Sequence, residues 1–210
     1  FASNSEFNTW VKNFKTRAVN SGVSKIVVDE VMLNAIFLPK VIEYDRFQPE
    51  FYEDTFTYIK KRTNKNKIKK GLALYKKEKS TIDIISKEFL IEKELLLALM
   101  GIETNFGKYL GKMDIISSLA TLSFDKRRSE YFSQELFNVL LLIDRNLIDP
   151  ETLFGSWAGA FGNFQFMPST ILNHAIDYDQ NNKIELKKSL KDALASAANY
   201  INKIGWIKGD

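Results

Sequence analysis

The segment from Phe89 to Gly107 limits most narrowly what this chain can become. Phe89 to Leu97 is an apolar run, which suits a helix buried on most sides better than one on the surface. Leu96, Met100, Glu103 and Gly107 recur at helical spacing and so share one stripe. Three of them are apolar or small, and one is a carboxylic acid. Leu99 and Phe106 flank Glu103 at i−4 and i+3. Loss of hydration there favours the neutral form of the acid. Gly107 reads as the residue just past the helix end. Glu103 then lies in the last turn, at the negative pole of the helix dipole, which again favours the protonated form. A glutamate that keeps its proton near neutral pH can act as a general acid. The same residue also reads as a helix-end glutamate that snorkels to water, and this stretch alone does not choose between the two.

Composition removes several alternatives. A chain of 210 residues accommodates one domain or two small ones with a real core. There is no cysteine, so disulfide frames and thiolate metal sites are excluded. The single histidine, His174, excludes poly-histidine metal centres and leaves any Ser-His catalysis to that one residue. No apolar run reaches the ~18 residues a membrane span needs. Four prolines, ten glycines and many helical periods indicate a mainly α fold.

Taken in order, Phe7, Trp10, Val11, Phe14 and Ala18 recur at helical spacing, and Gly22 stops that helix. Ser24 fits the N-cap of a short second helix through Met32. Pro39 and Pro49 bracket Lys40 to Gln48, which reads as extended or irregular. Lys60 to Lys79 holds ten basic residues against one acid, Glu78. Such a run is a solvated helix face or an attractor for a polyanion. Tyr75 is its only aromatic residue, so base stacking on nucleic acid is not provided for. Beyond the central run come the small and apolar stretch Ile115–Leu122 and a polar break, Asp125 to Arg128. Phe132, Leu136, Val139, Leu140 and Ile143 then mark an amphipathic helix with Tyr131 at its start.

Gly155 to Thr170 has neither helical nor strand period. Its glycines allow close approach to a ligand, and its aromatic faces with a few polar heads suit sugar rings. A tightly packed core loop accounts for the same composition. Pro168 is placed to begin a helix. Asp177, Asp179 and Asn181 occupy the first, third and fifth positions of a calcium-loop pattern. Asn182 stands where the sixth position wants glycine, however, and Lys188 where the twelfth wants a bidentate glutamate. A turn rich in Asn and Asp is the simpler account, with a weak structural cation as the alternative. Ser189 and Asp192 form a capping-box-like start to a last helix, which Gly205 ends.

Together these stretches resemble the lytic murein transglycosylases of the membrane-bound B type. The resemblance rests on Phe7–Ala18, Gly22-Val23, Pro39-Lys40-Val41-Ile42-Glu43 and Gln48-Pro49-Glu50-Phe51. It continues through Gly101-Ile102-Glu103-Thr104-Asn105-Phe106-Gly107, Leu119-Ala120-Thr121-Leu122 and Arg127-Arg128. It closes with Gly155-Ser156-Trp157-Ala158-Gly159-Ala160, Gln165-Phe166-Met167-Pro168-Ser169 and Ala198-Asn199-Tyr200.

The resemblance implies a mainly α fold with a lysozyme-like transglycosylase core over residues 81–210 and an N-terminal helical part over 1–80. It implies non-hydrolytic cleavage of peptidoglycan between N-acetylmuramic acid and N-acetylglucosamine, with Glu103 as the single acid/base. It places Ser156, Gln165, Tyr131, Tyr200 and Met167 along the saccharide groove, and it implies no cofactor. The expected partner is the glycan strand, and the expected location is the periplasm, with outer-membrane attachment in the full-length protein. Two departures stand out. The family loop reads Asp-x-Asp-Gly-Asp-Gly, whereas Gln180, Asn181 and Asn182 replace its last four positions apart from Asp179 itself. The family domain also continues past Gly205-Trp206, so the resemblance implies either that the sequence is trimmed there or that the groove is incomplete at residue 210. A non-catalytic peptidoglycan-binding module is therefore the competing expectation. A hydrolytic muramidase and a nucleic-acid-binding helical protein follow behind it.

Overall fold

The computed structural model describes residues 4–47 and 54–209. The Gln48-Pro49-Glu50-Phe51 motif lies outside them. Eleven α-helices carry the described residues: α1 (Asn4–Asn20), α2 (Lys25–Val31), α3 (Pro39–Arg46), α4 (Thr55–Arg62), α5 (Lys65–Lys77), α6 (Lys79–Glu88), α7 (Lys93–Thr104), α8 (Ile115–Phe124), α9 (Ser129–Asp144), α10 (Pro168–His174) and α11 (Leu190–Lys203). Two two-residue strands, β1 (Met113–Asp114) and β2 (Phe154–Gly155), pair antiparallel with Met113 opposite Gly155. The chain forms two compact units, each built from several stretches. One comprises residues 1–47, 111–161 and 167–172, and the other 48–110, 162–166 and 173–210.

The first unit is organised on α8, which is buried at every residue from Ile115 to Ser123. A helix apolar or small on all sides is stable only when other elements surround it. α9 lies along it, and Phe7, Trp10, Phe14, Phe37 and Phe124 interlock in stacked and edge-on pairs beside it. Asp114 caps α8, accepting from the Ile116 and Ser117 N–H groups at 3.2 and 3.3 Å. The segment after Pro39 is helical, where an extended stretch was expected. Pro39 stands in the first turn, where its fixed φ favours a helix and its missing N–H is no loss. Val41 and Asp45, four residues apart, both turn inward. Asp45 is 1% exposed and is held by the guanidinium groups of Arg127 and Arg128. That pairing compensates a carboxylate taken out of water.

In the second unit, α6, α7 and α11 share a core of Ile82, Ile85, Ile91, Leu96, Met100 and the alanine-rich face of α11. Alanines at 193, 195, 197 and 198 let α11 approach closely. Its start is as expected: the Ser189 hydroxyl accepts from the Asp192 N–H at 3.2 Å. The central helix, however, begins at Lys93 and not at Phe89. Leu90 adopts a left-handed φ of 55°, and Ser86 donates through its hydroxyl to the Ile91 carbonyl at 2.6 Å. These bonds end α6 and turn the chain before α7 starts. The basic run likewise divides into α4, α5 and the start of α6 instead of forming one face.

Candidate functional site

α7 ends in an unusual exit. Asn105, Phe106 and Gly107 take successive left-handed φ values of 51°, 61° and 80°. Asn105, not Gly107, is therefore the helix cap, and its N–H reaches the Gly101 carbonyl at 3.2 Å. A non-glycine residue in this region carries strain that surrounding contacts must offset. The Phe106 ring supplies them. It packs so closely on Gly101 and Gly71 that a Cβ there would meet ring carbons at 2.8 and 3.1 Å. The mid-helix Gly101 is thus explained by the ring it receives.

The buried stripe of α7 runs through Leu96, Met100 and Thr104, so Thr104 and not Glu103 continues it. Glu103 sits one residue to the side, with more than a third of its surface open to solvent. The protein around it nevertheless desolvates the carboxyl enough to raise its pKa above the ordinary glutamate value. Open access and partial desolvation together describe an acid reachable by a ligand and biased toward its protonated form.

Thr104 anchors the exit. Its buried hydroxyl donates to the Asn163 carbonyl at 2.9 Å and accepts from the Gly107 N–H at 3.0 Å. Asn163, also buried, donates through its side chain to the Leu186 carbonyl at 2.8 Å. Gln165 has a left-handed φ of 50°, and its amide donates to the Gly162 carbonyl at 2.9 Å and the Leu110 carbonyl at 3.4 Å. The segment 162–166 is therefore tied to both ends of the loop that follows Glu103. Tyr200, half-buried on α11, sets its ring against Phe166 and His174 at 5.6 and 5.3 Å between centroids. Glu103, Gln165 and Tyr200 thus belong to one unit.

Ser156, Tyr131 and Met167 belong to the other. The Ser156 hydroxyl oxygen accepts from the Ala160 and Ala158 N–H groups at 2.9 and 3.3 Å, folding the Trp157–Gly159 loop around it. Neither bond uses the hydroxyl proton. Tyr131 stands on α9 with its phenol pKa raised, chiefly by desolvation and then by the neighbouring Glu135 carboxylate. Glu135 is itself buried and accepts from the Ser169 N–H at 2.8 Å and the Ser169 hydroxyl at 2.6 Å. It thereby fixes the start of α10 next to Met167, whose side chain is half-buried. Thr104, Asn163 and Glu135 were not singled out in the sequence. Their long-range bonding partners lie 23 to 59 residues away along the chain, beyond the reach of local patterns.

The first two acids that follow Glu103 in the chain are committed elsewhere. Asp114 caps α8, and Asp125 pairs with Arg46 at 2.8 Å. In the 177–185 loop, Asp177 accepts from the Asn181 and Asn182 N–H groups at 3.0 and 2.7 Å. Asp192 accepts from the N–H groups of Tyr178 and Glu185 at 2.9 and 3.0 Å. Asp177, Asp179 and Asp192 converge within 4.8 Å, yet Lys188 supplies a cation where a calcium loop places its bidentate carboxylate. Gln180 and Asn182 adopt left-handed φ values of 59° and 70° without being glycine. The residues present fit a hydrogen-bonded turn better than a calcium cage.

The transglycosylase SLT domain family matches residues 6–210, and the chain belongs to that family. The membrane-bound lytic murein transglycosylase B of Escherichia coli is 37% identical over 154 residues, which is 73% of this chain and 42% of that protein. SltB3 of Pseudomonas aeruginosa, solved in complex with a NAG-NAM-pentapeptide, superposes with a TM-score of 0.93 at 31% identity. That match covers 97% of this chain and 55% of SltB3. The Escherichia coli lytic transglycosylase SLT35 in complex with calcium gives a TM-score of 0.83 at 32% identity, over 96% of this chain and 64% of SLT35. The chain thus spans about half the length of the relatives it matches. The mainly α, lysozyme-like fold expected from the sequence is the fold these enzymes share.

Proposed function

We propose that this chain is a peptidoglycan lytic transglycosylase with Glu103 as its only catalytic acid and base. The observation that carries the reading is the state of Glu103. It is a solvent-reachable acid whose pKa is raised by desolvation, in the last turn of α7, beside a strained and tightly anchored exit. Family membership and the glycan bound to SltB3 support peptidoglycan as the substrate.

In this mechanism protonated Glu103 donates to the oxygen bridging N-acetylmuramic acid and N-acetylglucosamine, and the glycosidic bond to C1 breaks. Glycosidases that lack a second carboxylate rely on the substrate's own N-acetyl oxygen to hold C1. The engagement of Asp114 and Asp125 in structural bonds favours that route. Glu103, now ionised, removes the proton from the muramic C6 hydroxyl. The C6 oxygen bonds to C1, the acetamido group leaves it, and a 1,6-anhydro ring closes. A hydroxyl already held beside C1 outcompetes bulk water by proximity. Ser156, Gln165, Tyr131, Tyr200 and Met167 are the proposed saccharide-binding side chains. No cofactor enters any step. The glycan strand as partner assigns the chain to the periplasmic face of the cell wall, in line with a membrane-bound relative.

Digestion of purified sacculi in heavy-oxygen water tests the reading. Muramic ends free of label are expected. Labelled reducing ends would mean that water attacks C1, and the non-hydrolytic route would fall.

A further inference from the structure

The charge of this chain is unevenly placed. Residues 60–79 carry ten bases and one acid, while the remaining residues carry twenty bases and twenty-five acids. The basic excess therefore resides in α4 and α5. The structure shows that these helices are also barely used by the core. α4 buries no residue, and α5 buries only Gly71. Gly71 marks the inner face of α5, packed on Phe106.

The outer face of α5 is a single stripe. Lys65, Ile68, Lys69, Leu72 and Lys76 follow one another at helical spacing and are all exposed. Ile68 and Leu72 are 57% and 64% exposed, so two adjacent aliphatic side chains stand in water among three lysines. Among the described residues no acid pairs with Lys65, Lys69 or Lys76. α4, joined to α5 by Thr63 and Asn64, repeats the arrangement with Phe56 and Ile59, 72% and 51% exposed, ahead of Lys60.

We infer that the outer face of α5, with α4, is a docking surface for an anionic lipid bilayer. Lysines alone would suit any polyanion. The aliphatic residues decide between candidates, because a dissolved acidic polymer offers them no apolar medium. A bilayer surface offers both, anionic headgroups for the lysines and the acyl boundary for Ile68 and Leu72. No helix of the described residues is long and apolar enough to cross a membrane, so this contact is peripheral. The inference is independent of the catalytic reading.

Co-sedimentation of the whole chain with vesicles tests it. Binding is expected to phosphatidylcholine vesicles containing phosphatidylglycerol and not to phosphatidylcholine alone. The pair Ile68→Glu and Leu72→Glu, at exposed positions, should lower partitioning about tenfold with the melting temperature unchanged. The triple change of Lys65, Lys69 and Lys76 to Gln should do the same, while Glu103→Gln should bind as the parent does. Absence of binding to the anionic vesicles would overturn the proposal. So would binding that the aliphatic pair leaves unchanged and that dissolved polyglutamate abolishes, since the face would then read charge alone.

Discussion

Glu103 and Thr104 are neighbours with opposite tasks. Thr104 is sealed in the core and holds the turn, while Glu103 faces solvent with its pKa raised by partial desolvation. The raised pKa sets two pH dependences. Proton donation requires the neutral acid, so activity should fall as pH rises through a midpoint above the ordinary glutamate value, read from a pH–rate profile. For stability, a carboxyl that binds its proton more tightly when folded favours the folded state fully at pH below its unfolded value. That contribution is lost as pH rises through the raised folded value. Glu103→Gln cannot ionise, so its urea midpoint should fall less than that of the parent across this window. Thr104→Val keeps the shape but removes a buried donor and acceptor, leaving the Asn163 carbonyl and the Gly107 N–H without it. We expect a loss of about 1–3 kcal/mol in urea unfolding, together with a loss of activity greater than the stability change explains. Unchanged activity would separate the exit turn from the site.

At the scale of elements, what the sequence revealed depended on distance along the chain. Helices α1, α2, α9 and α11 were legible because periodicity and caps are local signals. Glu103 in the last turn of α7 was legible for the same reason. The start of α7 was not, since Phe89, Leu90 and Ile91 continue its apolar character while a left-handed Leu90 breaks its geometry. The helicity of α3 was hidden because its inward Asp45 reads as a surface residue until Arg127 and Arg128, some eighty residues on, are brought to it. The 155–166 segment showed its glycines but not their purpose. Gly162 has φ 79°, and a Cβ there would lie 2.6 Å from the Leu186 Cβ, whereas Gly22 has φ 100° with nothing within 4 Å. Gly162→Ala should therefore cost well over the ~1 kcal/mol of backbone strain that Gly22→Ala carries. Comparable thermal shifts for the two variants would show that the segment yields to the added methyl group.

At the scale of the molecule, Glu103, Gln165 and Tyr200 lie in one compact unit and Ser156, Tyr131 and Met167 in the other. Each unit fixes its own residues by bonds that span long stretches of sequence. The central claim is that one acid performs both proton transfers. Mass spectrometry of the soluble products from sacculi treated with this chain or with Glu103→Gln tests it most directly. The account predicts 1,6-anhydro muropeptides from the parent and none from the variant. Anhydro products from Glu103→Gln at the parent's rate would contradict it, and sacculi bound but left intact by both would make the chain a binding module.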